Sequence, residues 1–264
     1  MNIHEINSPE QYLEFLRDNE PAIKLLFSDL LVGVTSFFRE PEAFEFLAHS
    51  VLAPMLKDRD AEKSLRVCVP GCSTGEEVYS LAIVIKEKCD ELGVSVPIQL
   101  FASDIDPDSI ATARQALYPD SIEADVSQTR LQRFFEKQEN HYRINPDIRD
   151  MVVFSIQDVL RDPPFTSLDL LCCRNLLIYL NAEAQRKLIP LFHYALKDDG
   201  VLILGRSESI GKFSDIFRMT DKNVKIFKKT GDALMRRYAL QFPVPFAKQS
   251  AERDKHGPEQ EPNK

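Results

Sequence analysis

Positive charge is in short supply in this chain: 33 Lys and Arg stand against 41 Asp and Glu, for a formal net charge of −8 and a pI near 5.3. With no overall basic field to draw phosphates, nucleic acid and anionic membrane are disfavoured as principal partners. Long apolar runs are missing too. No N-terminal stretch joins a basic start to an apolar core, and no run approaches the ~18 residues of a membrane span, so the chain reads as soluble, unexported and cytoplasmic. Its five cysteines, Cys68, Cys72, Cys89, Cys172 and Cys173, are odd in number and lie mostly in apolar runs, and the adjacent pair does not suit an ordinary bridge. They read as reduced and buried. Cys68 and Cys72 have a metal-like spacing, but no second Cys or His pair completes four ligands, so no metal is expected. There are no repeats.

What is present is a 44% hydrophobic chain of 264 residues, enough for one α/β core with a small helical appendage. Residues 1–57 read as a helical segment and linker. Tyr12, Phe15 and Leu16, then Ile23, Leu25, Leu26, Leu30 and Leu31, suggest two short helices interrupted by Pro21. Phe44, Leu47, Ala48, Val51, Leu52 and Met55 recur at helical spacing and predict a third helix over 41–56, with Pro41 in its first turn.

From residue 58 to 231 the pattern is of short apolar strands separated by amphipathic helices, the signature of βαβ units and a parallel sheet. Strands are expected over 65–69, 98–103, 152–155, 168–173, 201–204 and 224–228, and helices over 76–92, 107–117 and 182–196. A polar stretch over 134–150, with Tyr142, Ile144 and Ile148 spaced like short strands, reads as a small β excursion. Residues 232–264 turn to Pro, Gln, Lys and Glu, too polar for a core, and read as a flexible tail.

The chemistry-bearing residues fall at the ends of these strands. After the first comes GCSTGEEVYS (71–80), whose glycines let a ligand approach the backbone; a plain packing turn reads equally well, and the glycines are fewer than in GxGxxG. The second ends in FASDID (101–106), where Asp104 can accept ribose hydroxyls and Asp106, before Pro107, caps the next helix. Asp158 follows the third, suited to an adenine edge with Val159 against the ring, or equally to a turn. The fourth delivers Arg174 and Asn175 to the edge where open α/β sheets bind ligands. The tetrapeptide Asp162-Pro163-Pro164-Phe165 precedes that strand and reads as loop.

Four runs, GVTSFFRE (33–40), GCSTGEEVYS (71–80), FASDID (101–106) and CRNLLIY (173–179), resemble those of CheR-type chemotaxis protein methyltransferases. KLIPLFHYAL (187–196) and GRSES (205–209) further resemble the CheR segment of fusions with methylesterase and sensory modules. The resemblance covers about residues 26–229. It implies a class I S-adenosylmethionine-dependent methyltransferase fold, Rossmann-like and mostly parallel, and methyl transfer from S-adenosylmethionine to glutamates of chemoreceptor cytoplasmic domains. It also implies that Thr35, Arg39, Gly71, Glu77, Asp104, Asp158, Val159, Arg174 and Asn175 hold the cofactor, with Arg39 and Tyr179 flanking the methyl group.

A glutamate carboxylate is already nucleophilic at neutral pH, so displacement on a sulfonium asks for positioning and desolvation and needs no general base. Against the family pattern, the segment before Gly33 is short and acid-rich, Gly33 replaces the Asn of some members, and 135–149 lacks the glycine-rich loop that accompanies receptor-tail capture. A monomer docking without a tail peptide is therefore expected. Two alternatives stand beside it: a carboxyl methyltransferase with another acceptor, and a non-catalytic module that binds S-adenosylmethionine or S-adenosylhomocysteine.

Overall fold

The computed structural model describes residues 9–17, 19, 22, 23, 26, 35–57 and 59–231. The chain divides into two units, residues 1–36 and 37–264. In the first, α1 (Pro9–Arg17) stacks Tyr12 on Phe15 with ring centroids 6.3 Å apart. Asn19 Oδ1 accepts the Ala22 N–H at 3.1 Å, a capping arrangement that opens a second helical segment; most of that segment, Gly33 and the tail lie outside the described residues.

The second unit begins with α2 (Pro41–Phe46), which runs through a π-helical stretch (Leu47–Leu52) into α3 (Ala53–Lys57). The 41–56 periodicity shows this rod but not its widened turns, which precede Pro54, a residue with no N–H to offer the Ser50 carbonyl. Phe44, Leu47, Leu52 and Leu56 join the main apolar cluster. This helix thus buries its apolar face in the same core as the sheet, within the unit that begins at residue 37.

The sheet follows: β1 (Leu65–Pro70), α4 (Glu76–Leu92), β2 (Ile98–Asp104), α5 (Pro107–Gln115), β3 (Leu117–Pro119), α6 (Gln128–Phe134), β4 (Phe135–Gln138), β5 (His141–Ile144), α7 (Pro146–Arg149), β6 (Val152–Ile156), β7 (Leu168–Cys173), α8 (Ala182–Ala195), β8 (Leu196–Leu204), β9 (Phe217–Asp221) and β10 (Ile226–Lys229). Seven strands lie in the order β6-β2-β1-β7-β8-β10-β9. The first five are parallel and β10 and β9 antiparallel, as the α/β reading expects of a mostly parallel sheet. The expected excursion is a second sheet, β3-β5-β4, although Ile148 sits in α7, where Pro146 favours a helical first turn.

Strand alternation builds two cores. Val67, Leu170 and Cys172 face the cluster under α4, while Cys68, Leu171 and Cys173 face the one under α8. Neighbouring Cys172 and Cys173 thus point to opposite faces, and all five cysteines are free and buried. Among the described residues no helix is long and apolar enough to cross a membrane.

Chain order reverses between β1 and β7, so the switch point lies at their carboxyl ends. Register brings Pro70 beside Ser103, Asp104 beside Ile156, and Cys173 beside Leu204. The loops that leave these strands therefore share one edge.

Candidate cofactor and active site

The loop after β1 turns through left-handed Gly71 (φ 68°), Ser73 (φ 48°) and Gly75 (φ 99°). A Cβ on Gly71 would lie 2.9 Å from Leu176 Cδ1, and one on Gly75 would lie 3.0 Å from both Ala113 Cβ and the Tyr118 hydroxyl, so glycine is required twice over. Asp104 holds this loop. Its Oδ2 accepts the Ser73 N–H at 2.8 Å and its Oδ1 the Asp106 N–H at 3.0 Å. Each oxygen keeps a further acceptor position, which is what a ribose diol requires. Tyr118 steadies the loop from β3 by donating to the Thr74 carbonyl at 2.8 Å. Burial raises the Tyr118 pKa well above its ordinary value, and Glu76 adds to the rise, so the hydroxyl remains a donor.

Asp106 does the separate work expected of it, accepting from Asp108 N, Ser109 N and Ser109 Oγ at 3.2, 3.1 and 2.6 Å. Burial pushes its pKa upward, but the bonds from Ser109 and Asp108 outweigh it and hold the carboxyl below its ordinary range.

Opposite this loop, Arg39 lies half-buried between two left-handed residues, Phe38 (φ 49°) and Glu40 (φ 61°). Buried Ser80 anchors the turn by accepting the Phe38 N–H at 2.8 Å. Arg174 grips it harder: Nη2 donates to the Arg39 carbonyl and to Glu40 Oε2, each at 2.8 Å, while Nη1 donates to Glu77 at 2.8 and 3.0 Å. The Arg174 side chain is 3% exposed. Burial alone would lower its pKa, but Glu77 and Glu40 reverse that and hold it above its ordinary value. Both terminal nitrogens of Arg174 are thus engaged within the protein. They brace Glu77 and the Arg39 turn.

Beyond Arg174 the chain passes left-handed Asn175 (φ 61°) into a 3₁₀ turn (Leu177–Tyr179). Tyr179 is 55% exposed and Ile178 47%. Phe38, Glu40, Ser73 and Asn175, four of nine non-glycine left-handed residues among the described ones, gather in these three loops, and such strain concentrates at working sites.

Gln157 N donates to the Asp104 carbonyl at 2.9 Å, so Asp158 follows directly on a residue tied to Asp104. Its own Oδ1 accepts the Leu160 N–H at 2.9 Å and its Oδ2 pairs with Arg161 at 3.4 Å, which is the turn reading of this residue. Val159 packs against the cluster that contains Cys68 and Phe192. The Asp162–Phe165 stretch is loop, with Asp162 accepting from Asp158 N and Phe165 stacked on Phe101 at 4.6 Å. Thr35 belongs to the first unit. A cavity of about 200 Å³ lined by Phe44, His49, Lys88 and Arg130 contains none of the candidate residues.

The sequence pattern assigns no role to Ser80, Tyr118 or Glu208. Glu208, in the loop after β8, is 4% exposed and accepts three backbone N–H groups. The GRSES run flagged its segment; Tyr118 carried no local signal.

Residues 33–226 match the family described as CheR methyltransferase, SAM binding domain. The chain belongs to the CheR methyltransferase family. It is 36% identical to an uncharacterized 104.1 kDa protein of Rhodobacter capsulatus over 86% of this chain, although it spans only 24% of that protein. A putative methyltransferase, Cher3, of Pseudomonas putida is 32% identical, covering 78% of this chain and 76% of its own. Chemotaxis protein methyltransferase 2 of Vibrio cholerae is 31% identical, covering 83% and 75%.

The CheR chain is thus a methyltransferase whose cofactor is S-adenosylmethionine. Its residues suit that molecule: a carboxylate with spare acceptor positions at the switch point, a loop in which Cβ atoms would collide, and acidic Glu76 and Glu77 at the start of α4 for a cationic ligand.

Proposed function

We propose that this CheR-family chain methylates glutamate side chains of methyl-accepting chemoreceptors in the cytoplasm, yielding glutamate methyl esters and S-adenosylhomocysteine. The observation that carries this reading is Arg174, which ties the turn bearing Arg39 to the strand end that leads to Asn175 and Tyr179. One side chain thereby fixes both loops assigned to the methyl group.

When bound, S-adenosylmethionine supplies an electrophilic methyl group on a sulfonium, open to displacement by a carboxylate. Asp104 and Asn175 would hold the nucleoside, with Gly71, Asp158 and Val159 beside it. Glu77 would face the amino-acid end, and Arg174 keeps it in place. Arg39 would orient the incoming carboxylate, and the Tyr179 hydroxyl would lie alongside the methyl group. The opposite charges of the reacting pair cancel in the transition state, so a site that aligns them and excludes water favours the reaction. The exposure of Ile178 and Tyr179 supports a side chain arriving on a protein surface.

We further read docking as independent of a receptor tail peptide and the enzyme as a monomer. The β4–β5 hairpin supports the first point, since it closes through Glu139 (φ 44°) and Asn140 with no glycine-rich loop.

The test is incubation of the purified chain with tritiated S-adenosylmethionine and chemoreceptor cytoplasmic domains, followed by alkaline release of volatile methanol. Base-labile label on receptor glutamates is expected. Tight cofactor binding with no transfer to any receptor would remove this reading in favour of another acceptor or a sensing role.

A further inference from the structure

We propose that Glu208 and Gln185 are positioning residues of the methyl transfer, clamping from its two ends the short turn that presents Tyr179. The inference rests on the role given to Tyr179 above. The turn from Leu176 to Leu180 is too short to define itself: a 3₁₀ segment of three residues has one or two internal hydrogen bonds, here Tyr179 N to Leu176 O and Leu180 N to Leu177 O at 3.1 Å each. Its first residues have no side-chain cap of their own.

Glu208 supplies that cap from another loop. Its Oε1 accepts the Leu177 N–H at 2.7 Å, and its Oε2 accepts the Asn175 N–H at 3.1 Å and the Gly205 N–H at 2.6 Å. No cationic side chain is among these partners. A buried carboxylate satisfied by three backbone donors fixes backbone where a salt bridge would fix side chains. A Cβ on Gly205 would lie 2.9 Å from Glu208 Oε2 and 3.1 Å from Asn175 N, so the glycine makes room for this arrangement.

At the other end Gln185, on α8, donates through Nε2 to the carbonyls of Leu177 and Leu180, both at 2.9 Å. Leu176 meanwhile seats against Gly71, which couples the turn to the cofactor loop. The backbone on either side of Tyr179 is therefore pinned while the side chain itself stays exposed. A reaction governed by alignment is sensitive to such pinning, because displacements of about 1 Å can cost ~100-fold in rate.

The variants are Glu208→Gln and Gln185→Ala. Should the first fail to fold, the second still tests the clamp, since it removes two partly buried bonds from a half-exposed helix residue. Amide hydrogen exchange, which needs no acceptor protein, is expected to quicken at 176–180 and to stay unchanged within β7; unchanged exchange at 176–180 in both variants would overturn the clamp. Turnover is then compared with and without Tyr179→Phe. Either clamp variant is expected to lower kcat about tenfold beside Tyr179 and less than about twofold beside Phe, because groups acting as one unit are not additive. Equal factors in both backgrounds would overturn the inference. A Tyr179→Phe enzyme with unaltered kcat would remove Tyr179 from the chemistry and this inference with it, while methyl transfer to receptors by the parent enzyme would leave the proposed function standing.

Discussion

Ser73, in the loop after β1, and Asp104, at the end of β2, are joined by a 2.8 Å hydrogen bond from the Ser73 amide to Oδ2 of the carboxylate. The group assigned to the ribose therefore also sets the shape of the loop that would receive the rest of the nucleoside. Affinity and local order are coupled through one side chain.

That coupling gives the first prediction. Asp104→Ala removes the ribose acceptor and the brace on Ser73 and Asp106 together. Charge-assisted bonds of this kind contribute about 1.5–3 kcal/mol, so calorimetric affinity for S-adenosylhomocysteine should fall by roughly 10- to 150-fold. A lowered melting temperature with unchanged affinity would leave Asp104 as a loop brace alone.

Arg174 gives the second. Its guanidinium faces Glu77 and Glu40, whose side chains are 16% and 22% exposed, and removing one partner from a buried network leaves the others uncompensated. Arg174→Leu should cost about 3–5 kcal/mol in urea unfolding. Arg174→Lys keeps the charge but cannot fork between Glu77 and the Arg39–Glu40 turn, so it should recover part of the stability and little of the methyl transfer. A loss below about 1 kcal/mol in the Leu variant would mean that the network is solvated and weak.

Legibility in the sequence followed the range of the interaction. The strand β1 and the helix α4 were readable because their buried positions recur at short spacing, and α4 was placed at its observed ends. The strand β9 was not: in FRMTD only Phe217 is buried, and pairing with β10 supplies what its own residues do not signal. Likewise β8 begins at Leu196, five residues before the strand expected at 201, because pairing with Leu168 extends it through polar Lys197, Asp198 and Asp199. In the site, the capping role of Asp106 could be read from its place before Pro107. The grip of Arg174 on Glu77 and Glu40 spans 97 and 134 residues of chain and leaves no local pattern to read.

Asp106 yields a pH-dependent prediction. Its carboxyl sits below the ordinary 3.8 in the folded chain because Ser109 and Asp108 donate to the ionised form. A depressed folded value stabilises above the unfolded pKa and loses that contribution as pH falls through the folded one. Asp106→Ala should therefore cost about 1 kcal/mol near neutrality, the usual value of an N-cap. The gap between parent and variant should close below about pH 4, measured by urea unfolding at stepped pH. A gap that persists undiminished into strong acid would show that the stabilisation does not depend on the ionised carboxylate.

The cysteines provide the last. Burial pushes the Cys68 thiol up to about 12 and raises Cys72, Cys89, Cys172 and Cys173 as well. A thiol raised in this way stays protonated at pH 8, and the thiolate is the reactive species. A disulfide reagent such as DTNB should find none of the five in the native chain over minutes and all five in guanidinium chloride. Cys72 is the informative member, being 1% exposed inside the glycine loop, where Asp104 adds to the rise. Its slow reaction in the native state reports opening of that loop, and S-adenosylhomocysteine should slow it further by holding the loop closed. Protection that fails to increase with ligand, in a chain shown to bind it, would place the cofactor away from the Gly71–Gly75 turn.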